Sequence, residues 1–215
     1  MKLGLLGGAF DPIHWGHLGA ALECAYQLNL DEVWLTPGAD PPFKSPAAPA
    51  EQRFAMTELA AQEGPRLHAS RLELDLPTPS FSVNTLRELR RQLPHADLYF
   101  IVGTDAAAGL NAWREPLEIR ALAKLVVVQR AGWVQTVRSG QPAPGGAGYN
   151  ANAANGRLGL PAFPLPGGPP SAVIEWPGVA VTSSEVRRRL KAGAPVEYLL
   201  PRSVADYIRE HQLYR

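Results

Sequence analysis

Hydrophobic residues fall into two alternating patterns along the chain, short continuous runs and longer segments with helical spacing. The runs predict strands over 2–6, 32–36, 98–102 and 125–129, and ordered structure is expected to resume at 172–176. Helical spacing predicts helices over 18–28, 50–63 and 83–93, and the segment 66–76 is predicted to be extended. Continuous apolar runs are typical of parallel strands that are buried on both faces. We therefore predict an α/β fold, a Rossmann-like, doubly wound parallel sheet with helices on both sides.

Turn or polar residues follow four of the predicted strands. They are Gly7, Pro37, Gly103 and Arg130. Ligands of such folds bind at the carboxyl ends of the strands. Because parallel strands end at one edge of a sheet, these positions are expected to converge on one cleft.

The segment 133–171 interrupts the alternating pattern. It is rich in Gly, Pro, Ala and Asn and offers few residues that could build a core. Such a composition favours a long mobile surface insertion. We expect a single domain over residues 1–215 that carries this insertion.

Composition narrows the function classes. A formal net charge of +1 excludes attraction to nucleic acid or membranes through bulk charge. The chain shows no secretory signal, and no apolar run reaches the roughly 18 residues of a spanning helix. Cys24 is the only cysteine, which excludes an internal disulfide, and it lies on the apolar side of the helix predicted over 18–28. A buried thiol in the cytoplasm is the expected setting.

A turn with potential chemistry lies between the first predicted strand and the first helix. It reads Gly-Gly-Ala-Phe-Asp-Pro-Ile-His-Trp-Gly-His over residues 7–17. Glycines let a backbone approach a ligand closely, and the N–H groups and dipole of a helix N-terminus attract an anion. His14 and His17 lie on one face of the first helical turn and can donate to the same anion. The pattern indicates a phosphate site, and zinc binding or an ordinary turn without a ligand are the alternatives.

A second candidate anion site is the segment 182–190, Thr-Ser-Ser-Glu-Val-Arg-Arg-Arg-Leu. Ser and Thr are good helix N-caps, and Gly193 is a plausible end of the helix. Three arginines are expected near the helix start, where the dipole disfavours cations unless a polyphosphate binds there. We assign Arg187 to such a ligand and interpret Arg188 and Arg189 as a solvated basic face.

These two motifs resemble the signature pair of the HxGH nucleotidyltransferases. Within that superfamily the chain most resembles bacterial-type nicotinate-nucleotide adenylyltransferases. The closer resemblance rests on 41–44 (Pro-Pro-Phe-Lys), 79–82 (Pro-Ser-Phe-Ser), 103–105 (Gly-Thr-Asp), Trp113, Arg130 and 212–215 (Gln-Leu-Tyr-Arg). It implies a nucleotide cleft at the strand carboxyl ends. It also implies transfer of AMP from ATP to nicotinate mononucleotide, which yields deamido-NAD and pyrophosphate in NAD biosynthesis.

The resemblance also implies roles for individual residues. His14, His17 and Arg187 are the implied catalytic residues. The implied ATP-binding residues are Gly7, Gly8, Ala9, Phe10, Gly16, Gly103, Asp105, Thr182, Ser183 and Ser184. The implied mononucleotide-binding residues are Asp11, Lys44, Ser82, Trp113 and Arg130. The implied cofactor is Mg²⁺, bound mainly through ATP phosphates and not by a protein metal site.

Some positions have a structural alternative or depart from the family pattern. Asp105 could cap a helix, Trp113 could be a packing residue, and Lys44 could be a solvated surface lysine. Ala9 replaces the usual Thr or Ser, so only its backbone N–H remains for a contact. Phe43 stands where the family often has His, and the insertion has no counterpart that we assign.

The function has three alternatives at this level. The acceptor could be nicotinamide mononucleotide, the nucleotide donor could be CTP, or the domain could be a catalytically silent nucleotide sensor. The expected partners are ATP and nicotinate mononucleotide, with no nucleic acid and no membrane. A homo-oligomer stays compatible with the sequence.

Overall fold

The computed structural model describes residues 1–130, 165–179 and 181–215, with only the backbone at Arg130. Within these residues six strands form one sheet, and every neighbouring pair is parallel. The strands are β1 (Lys2–Gly8), β2 (Glu32–Pro37), β3 (Leu67–Ala69), β4 (Asp97–Gly103), β5 (Lys124–Arg130) and β6 (Ala172–Trp176). Their order is β3-β2-β1-β4-β5-β6.

Helices connect and follow the strands. They are α1 (Trp15–Gln27), α2 (Ala50–Ala61), α3 (Leu72–Asp75), α4 (Ser82–Gln92), α5 (Thr104–Ala108), α6 (Pro116–Leu122), α7 (Ser183–Lys191) and α8 (Arg202–Glu210), with a 3₁₀ turn at Leu110–Ala112. This alternation confirms the predicted doubly wound α/β fold.

The sheet separates two hydrophobic cores. Side chains of α1, α2, α7 and α8 pack on one face, where β4 contributes Ile101. Side chains of α4, α5 and α6 pack on the other face, where the neighbouring Phe100 and Val102 point. Successive strand residues face opposite sides, so a strand with helices on both sides must be apolar at every position. This explains the continuous hydrophobic runs.

The strand order reverses between β1 and β4. From this point the chain winds one way through β2 and β3, and the other way through β5 and β6. The crevice beyond the carboxyl ends of such a strand pair is where open α/β sheets bind ligands. Gly7 and Gly8 end β1, and Gly103 ends β4, so the first candidate turn lies at this crevice.

Two predicted elements differ from the structure. The segment 66–76 is extended only at β3, and it then forms the short helix α3. The N–H groups of Leu74 and Asp75 donate there to the Arg71 carbonyl at 2.8 and 3.2 Å. Helix α7 ends at Lys191, so Arg188 and Arg189 lie in its last turn, the end that the dipole favours for cations. The predicted insertion at 133–171 lies outside the described residues up to residue 164.

Candidate active site

A cavity of about 410 Å³ opens at the crevice between β1 and β4. Seven segments or residues form its wall: Leu6–Ala9, Gly38, Pro41–Lys44, Glu73, Ser80–Ser82, Phe100–Ala106 in part, and Gly109–Ile119 in part. The cavity is thus built from the turns that follow β1, β2 and β4 and from the starts of α4 and α5. Gly7 and Gly103 meet there as predicted, and Gly38 rather than Pro37 represents the end of β2, whereas the side chain of Arg130 lies outside the described part of the structure.

The turn after β1 forms one wall of the cavity. Gly7, Gly8 and Ala9 line it, which agrees with the predicted close approach of this backbone to a ligand. A Cβ at Gly7 would have no atom nearer than 4.0 Å, whereas one at Gly8 would lie 2.8 Å from the Phe10 ring. Gly7 is therefore open toward the cavity, and Gly8 is required by the packing of Phe10.

A buried arginine holds this turn from behind. Arg53 of α2 is 1% exposed and donates to the carbonyls of Ala9 at 2.7 Å, Ala39 at 3.1 Å and Ala48 at 3.1 Å. Burial lowers the pKa of Arg53, and the nearby Asp11 carboxylate opposes this shift. The guanidinium thus joins the turn after β1 to the loop after β2. The helical spacing of hydrophobic residues around Arg53 in the sequence did not indicate this role.

The two histidines belong to the same turn, but neither lines the cavity. His14 is the N-cap of α1, its backbone is extended, and its ring stacks on that of His17 with centroids 3.8 Å apart. The His14 N–H donates to His17 Nδ1 at 3.3 Å. The rings of Phe10 and His17 meet edge-on, with their centroids 4.9 Å apart. The predicted pairing of the histidines at the start of α1 is present in the structure.

Gly16 has a packing role in this arrangement. It is buried, and a Cβ there would lie 2.8 Å from the His14 ring and 3.2 Å from Val181. Phe10 is likewise buried, with a positive φ of 47°. Both residues shape the histidine side of the turn, and neither lines the cavity.

Helix α7 approaches the same turn with its N-terminus. Thr182 is its N-cap and accepts from the Glu185 N–H at 3.1 Å. The Ser183 hydroxyl donates to the Pro12 carbonyl at 2.9 Å, which ties this helix to the turn after β1. Ser184 is exposed at the helix start. The structure thus brings the second candidate motif to the histidine side of the first.

Arg187 points from α7 to the turn. Its Nη1 donates to the Asp11 carbonyl at 2.6 Å and lies 3.4 Å from Asp11 Oδ2, while Nη2 donates to Ser184 Oγ at 3.4 Å. Its side chain is 29% exposed, so its remaining donors can reach a ligand. Arg188 and Arg189 instead pair with Glu185 of the same helix at 2.6 and 2.9 Å. This separation agrees with the different roles predicted for the three arginines.

Asp11 lies outside the predicted mononucleotide cavity. It is 3% exposed, and its carboxylate accepts from the N–H groups of Ala47 and Ala48 at 2.7 and 3.0 Å. It also accepts from the hydroxyl of Tyr214 at 2.8 Å, and burial and this carboxylate raise the pKa of Tyr214. Asp11 therefore joins the turn to the loop before α2, to Arg187 and to the segment after α8.

The other predicted mononucleotide residues do line the cavity, where their side chains can be described. Lys44, Ser82 and Trp113 belong to its wall. Trp113 is half-buried, and its ring meets that of Phe100 edge-on, with the centroids 6.0 Å apart. Trp113 therefore packs on the core with one edge and borders the cavity as well. The side chain of Arg130 lies outside the described part of the structure.

The turn after β4 forms the opposite wall. Gly103 and Asp105 line the cavity, and a Cβ at Gly103 would have no atom within 4 Å. The N-cap of α5 is Gly103, so the alternative role of Asp105 as a helix cap is wrong. Asp105 is exposed in the first turn of α5 and can accept hydrogen bonds from a ligand.

Two charged residues at the cavity were missed from the sequence. Glu73 of α3 is 7% exposed, and burial raises its pKa to about 7. Arg114 lies over the Phe81 ring at 4.9 Å and is exposed. A Leu-Glu-Leu run was the only signal for Glu73, and it fits an alternating strand equally well.

The described residues contain no helix that is long and apolar enough to cross a membrane. Within the same residues, no group of three or more His, Cys, Asp and Glu side chains is arranged to hold a metal ion. The histidine side instead offers imidazoles, hydroxyls and a guanidinium, a donor set suited to phosphate oxygens.

Comparison with known proteins gives the class of this fold and site. The family model described as cytidylyltransferase-like matches residues 5–189, a range that contains the first candidate motif, the cavity and all but the last residue of the second motif. The chain belongs to the cytidylyltransferase-like family.

Its relatives give a narrower group. The chain is 44% identical over 215 residues to a probable nicotinate-nucleotide adenylyltransferase of Thermus thermophilus, with 100% of both chains covered. It is 40% identical over 212 residues to a protein of the same description from Streptomyces coelicolor, with 98% of this chain and 99% of the relative covered. Within its family the chain thus groups with the nicotinate-nucleotide adenylyltransferases.

A solved structure supports the fold independently. The nicotinic acid mononucleotide adenylyltransferase of Plasmodium falciparum, complexed with NaAD, matches with a TM-score of 0.71. The match covers 99% of this chain and 97% of that one at 17% identity. At this identity the likeness is one of fold.

Proposed function

We propose that the protein transfers AMP from ATP to nicotinate mononucleotide, giving deamido-NAD and pyrophosphate. One observation carries this proposal: a single turn, residues 7–17, faces a cavity with its glycines and presents two stacked histidines beside the start of α7. An adenylyl transfer needs an acceptor pocket and a polyphosphate site on either side of the α-phosphate. The full-length relatives named for this activity support the same assignment.

The cavity is the proposed acceptor site. The pyridine ring stacks on Trp113, and Lys44 and Ser82 bind the rest of the mononucleotide, with Arg130 as a further predicted contact. Gly7, Gly8 and Ala9 let the turn approach the reacting phosphates, and Gly103 and Asp105 contact the adenosine half. Asp11, Phe10 and Gly16 act behind the turn, where they hold its shape.

The histidine side is the proposed triphosphate site. His14 and His17 donate to the phosphates, with His17, which is less buried, as the better donor to the α-phosphate as its charge develops. Ser184 and Arg187 hold the β- and γ-phosphates that leave as pyrophosphate, and Thr182 and Ser183 order the start of α7.

The attacking group is a phosphate that is already anionic near neutral pH. The reaction therefore needs no general base, and catalysis rests on alignment and on neutralisation of the negative charge. Mg²⁺, bound mainly through the ATP phosphates, is part of this proposal and supplies further neutralisation. The proposal also includes the cytoplasm as the location of the protein.

The decisive experiment is Mg²⁺-dependent pyrophosphate release from ATP, with nicotinate and nicotinamide mononucleotide compared side by side. Strong preference for the nicotinate form supports the proposal. Preference for the amide, or for CTP over ATP, would replace the acceptor or the donor. Binding of ATP without release with either acceptor would favour a nucleotide sensor.

Variants test the histidine role in the same assay. His17→Ala should lower turnover by at least about 10²-fold, the scale for loss of one transition-state donor. His95→Ala is the matched control, since His95 is exposed in the loop before β4. Equal turnover in the two variants would refute the role assigned to His17.

A further inference from the structure

Glu73 is a buried carboxyl in the wall of a cavity assigned to an anionic ligand. It lies on α3, and Oε1 accepts from the Thr85 hydroxyl of α4 at 2.8 Å. Oε2 would lie 3.2 Å from a Cβ on Gly38, and Oε1 would lie 4.0 Å from a Cβ on Gly7. The carboxyl is therefore enclosed between the turns after β1 and β2 and the first turn of α4, and it borders the cavity.

The charges around Glu73 do not compensate its burial. Arg53 of α2 is the cation within electrostatic range, but its donors are bound to three backbone carbonyls. The other charged residues of the cavity wall, Lys44, Asp105 and Arg114, are exposed. Burial raises the pKa of Glu73 to about 7, although Thr85 and Arg53 both favour its ionised form. The carboxyl thus changes its charge in the neutral range.

A bound anion makes the ionised form still less favourable. It displaces water from the cavity wall, and it adds a like charge near the carboxylate. A ligand that binds better to one protonation state must shift the proton equilibrium by linkage. A mononucleotide that carries both a phosphate and a ring carboxylate is such a ligand.

We infer that Glu73 takes up a proton when an anionic mononucleotide fills the cavity, and that the neutral carboxyl is the form that admits this ligand. Glu73 then controls the pH dependence of ligand binding at the acceptor site. This inference rests on the proposed function, because that function places the mononucleotide in the cavity.

The test is calorimetric titration of the full-length protein with nicotinate mononucleotide between pH 6.5 and 8.5. Each titration is repeated in two buffers of different ionisation enthalpy, so that the difference in heat counts the protons taken up. For strict linkage to a group with a pKa of about 7, the affinity falls up to about 25-fold over this range. Because His14 and His17 can also take up protons, the quantity that counts is the difference between wild type and variant.

Three variants carry the test. Glu73→Gln keeps the size of the side chain and should remove this proton uptake and most of the fall in affinity. Thr85→Val removes the hydroxyl that stabilises the ionised carboxyl, so it should move the fall in affinity to higher pH. Glu58→Gln, on the exposed face of α2, is the matched control and should follow the wild type.

Either of two results would overturn the inference: proton uptake that persists unchanged in Glu73→Gln, or a Thr85→Val profile that coincides with the wild type. If Glu73→Gln does not fold, the Thr85→Val shift decides alone. Adenylyl transfer is measured separately on the same preparations. Proton-linked binding without transfer would refute the proposed function only, whereas transfer with no linkage to Glu73 would refute this inference only.

Discussion

Arg53 offers a direct test of how the turn after β1 is held. Replacement by Met keeps much of the aliphatic stem but removes the guanidinium. Three carbonyls, those of Ala9, Ala39 and Ala48, then lose a charge-assisted donor inside the protein. A buried acceptor that loses its donor typically costs about 1–3 kcal/mol, because the carbonyl stays desolvated. With three such carbonyls, we expect Arg53→Met to lower the free energy of unfolding by at least about 3 kcal/mol.

Urea unfolding, followed by tryptophan fluorescence, measures this change. Arg91→Met is the matched control, because Arg91 is 73% exposed and pairs with Glu88 on the surface, where solvent screening leaves such a pair little effect on stability. Because Ala9 belongs to the turn after β1, Arg53→Met should also lower the turnover at saturating substrate of the protein that stays folded. A loss of stability no larger than that of Arg91→Met would refute the role of Arg53 as the anchor of this turn.

Three further predictions follow from single buried groups. The pKa of Glu73 in the folded protein is about 7, above its ordinary value of 4.5. The protonated carboxyl therefore contributes stability that is fully present below about pH 4.5 and is lost as the pH rises through 7. Urea unfolding at several pH values should show that Glu73→Gln removes about 3 kcal/mol of this pH dependence. Tyr214→Phe leaves Asp11 one donor short and should cost about 1 kcal/mol, whereas Tyr207→Phe, on the half-buried face of α8, should cost less. Burial raises the pKa of Cys24 to about 12, so a thiol reagent at pH 8 should modify it only after unfolding; rapid labelling of the native protein would contradict this burial.

The order of strands and helices could be predicted from the sequence because the sheet is buried on both faces. Short continuous apolar runs such as 98–102 are typical of parallel strands that are covered on both faces. The exception among the predicted segments was α3, whose four residues are too short for helical spacing to show, and α6 and α8 were not predicted at all. The conformation of α3 depends on local hydrogen bonds to Arg71 and on its packing beside α4. The second wrong prediction concerned α7: Arg188 and Arg189 were expected near the start of this helix, but they lie in its last turn.

The candidate site was predictable only where a residue type signals its own chemistry. Glycines at a strand end and histidines at a helix start do so, and the structure brings both to one turn. Asp11 has the same chemical signal as a ligand-binding carboxylate, but its orientation depends on Ala47, Ala48 and Tyr214, which are distant in sequence. No local pattern could show that its carboxylate points into the protein.

The buried groups behind the turn bear on the mechanism itself. A reaction between two phosphates gains most from donors that are already in place, since reorientation during the reaction would cost part of the stabilisation. Arg53 donates to the carbonyl of Ala9 and so holds the first part of the turn. The carboxylate of Asp11 accepts from the Ala48 N–H, and this anchored residue presents its carbonyl to Arg187. Both anchors are contacts within the folded chain, so the chain itself holds the turn in place, and ligand binding supplies proximity and charge.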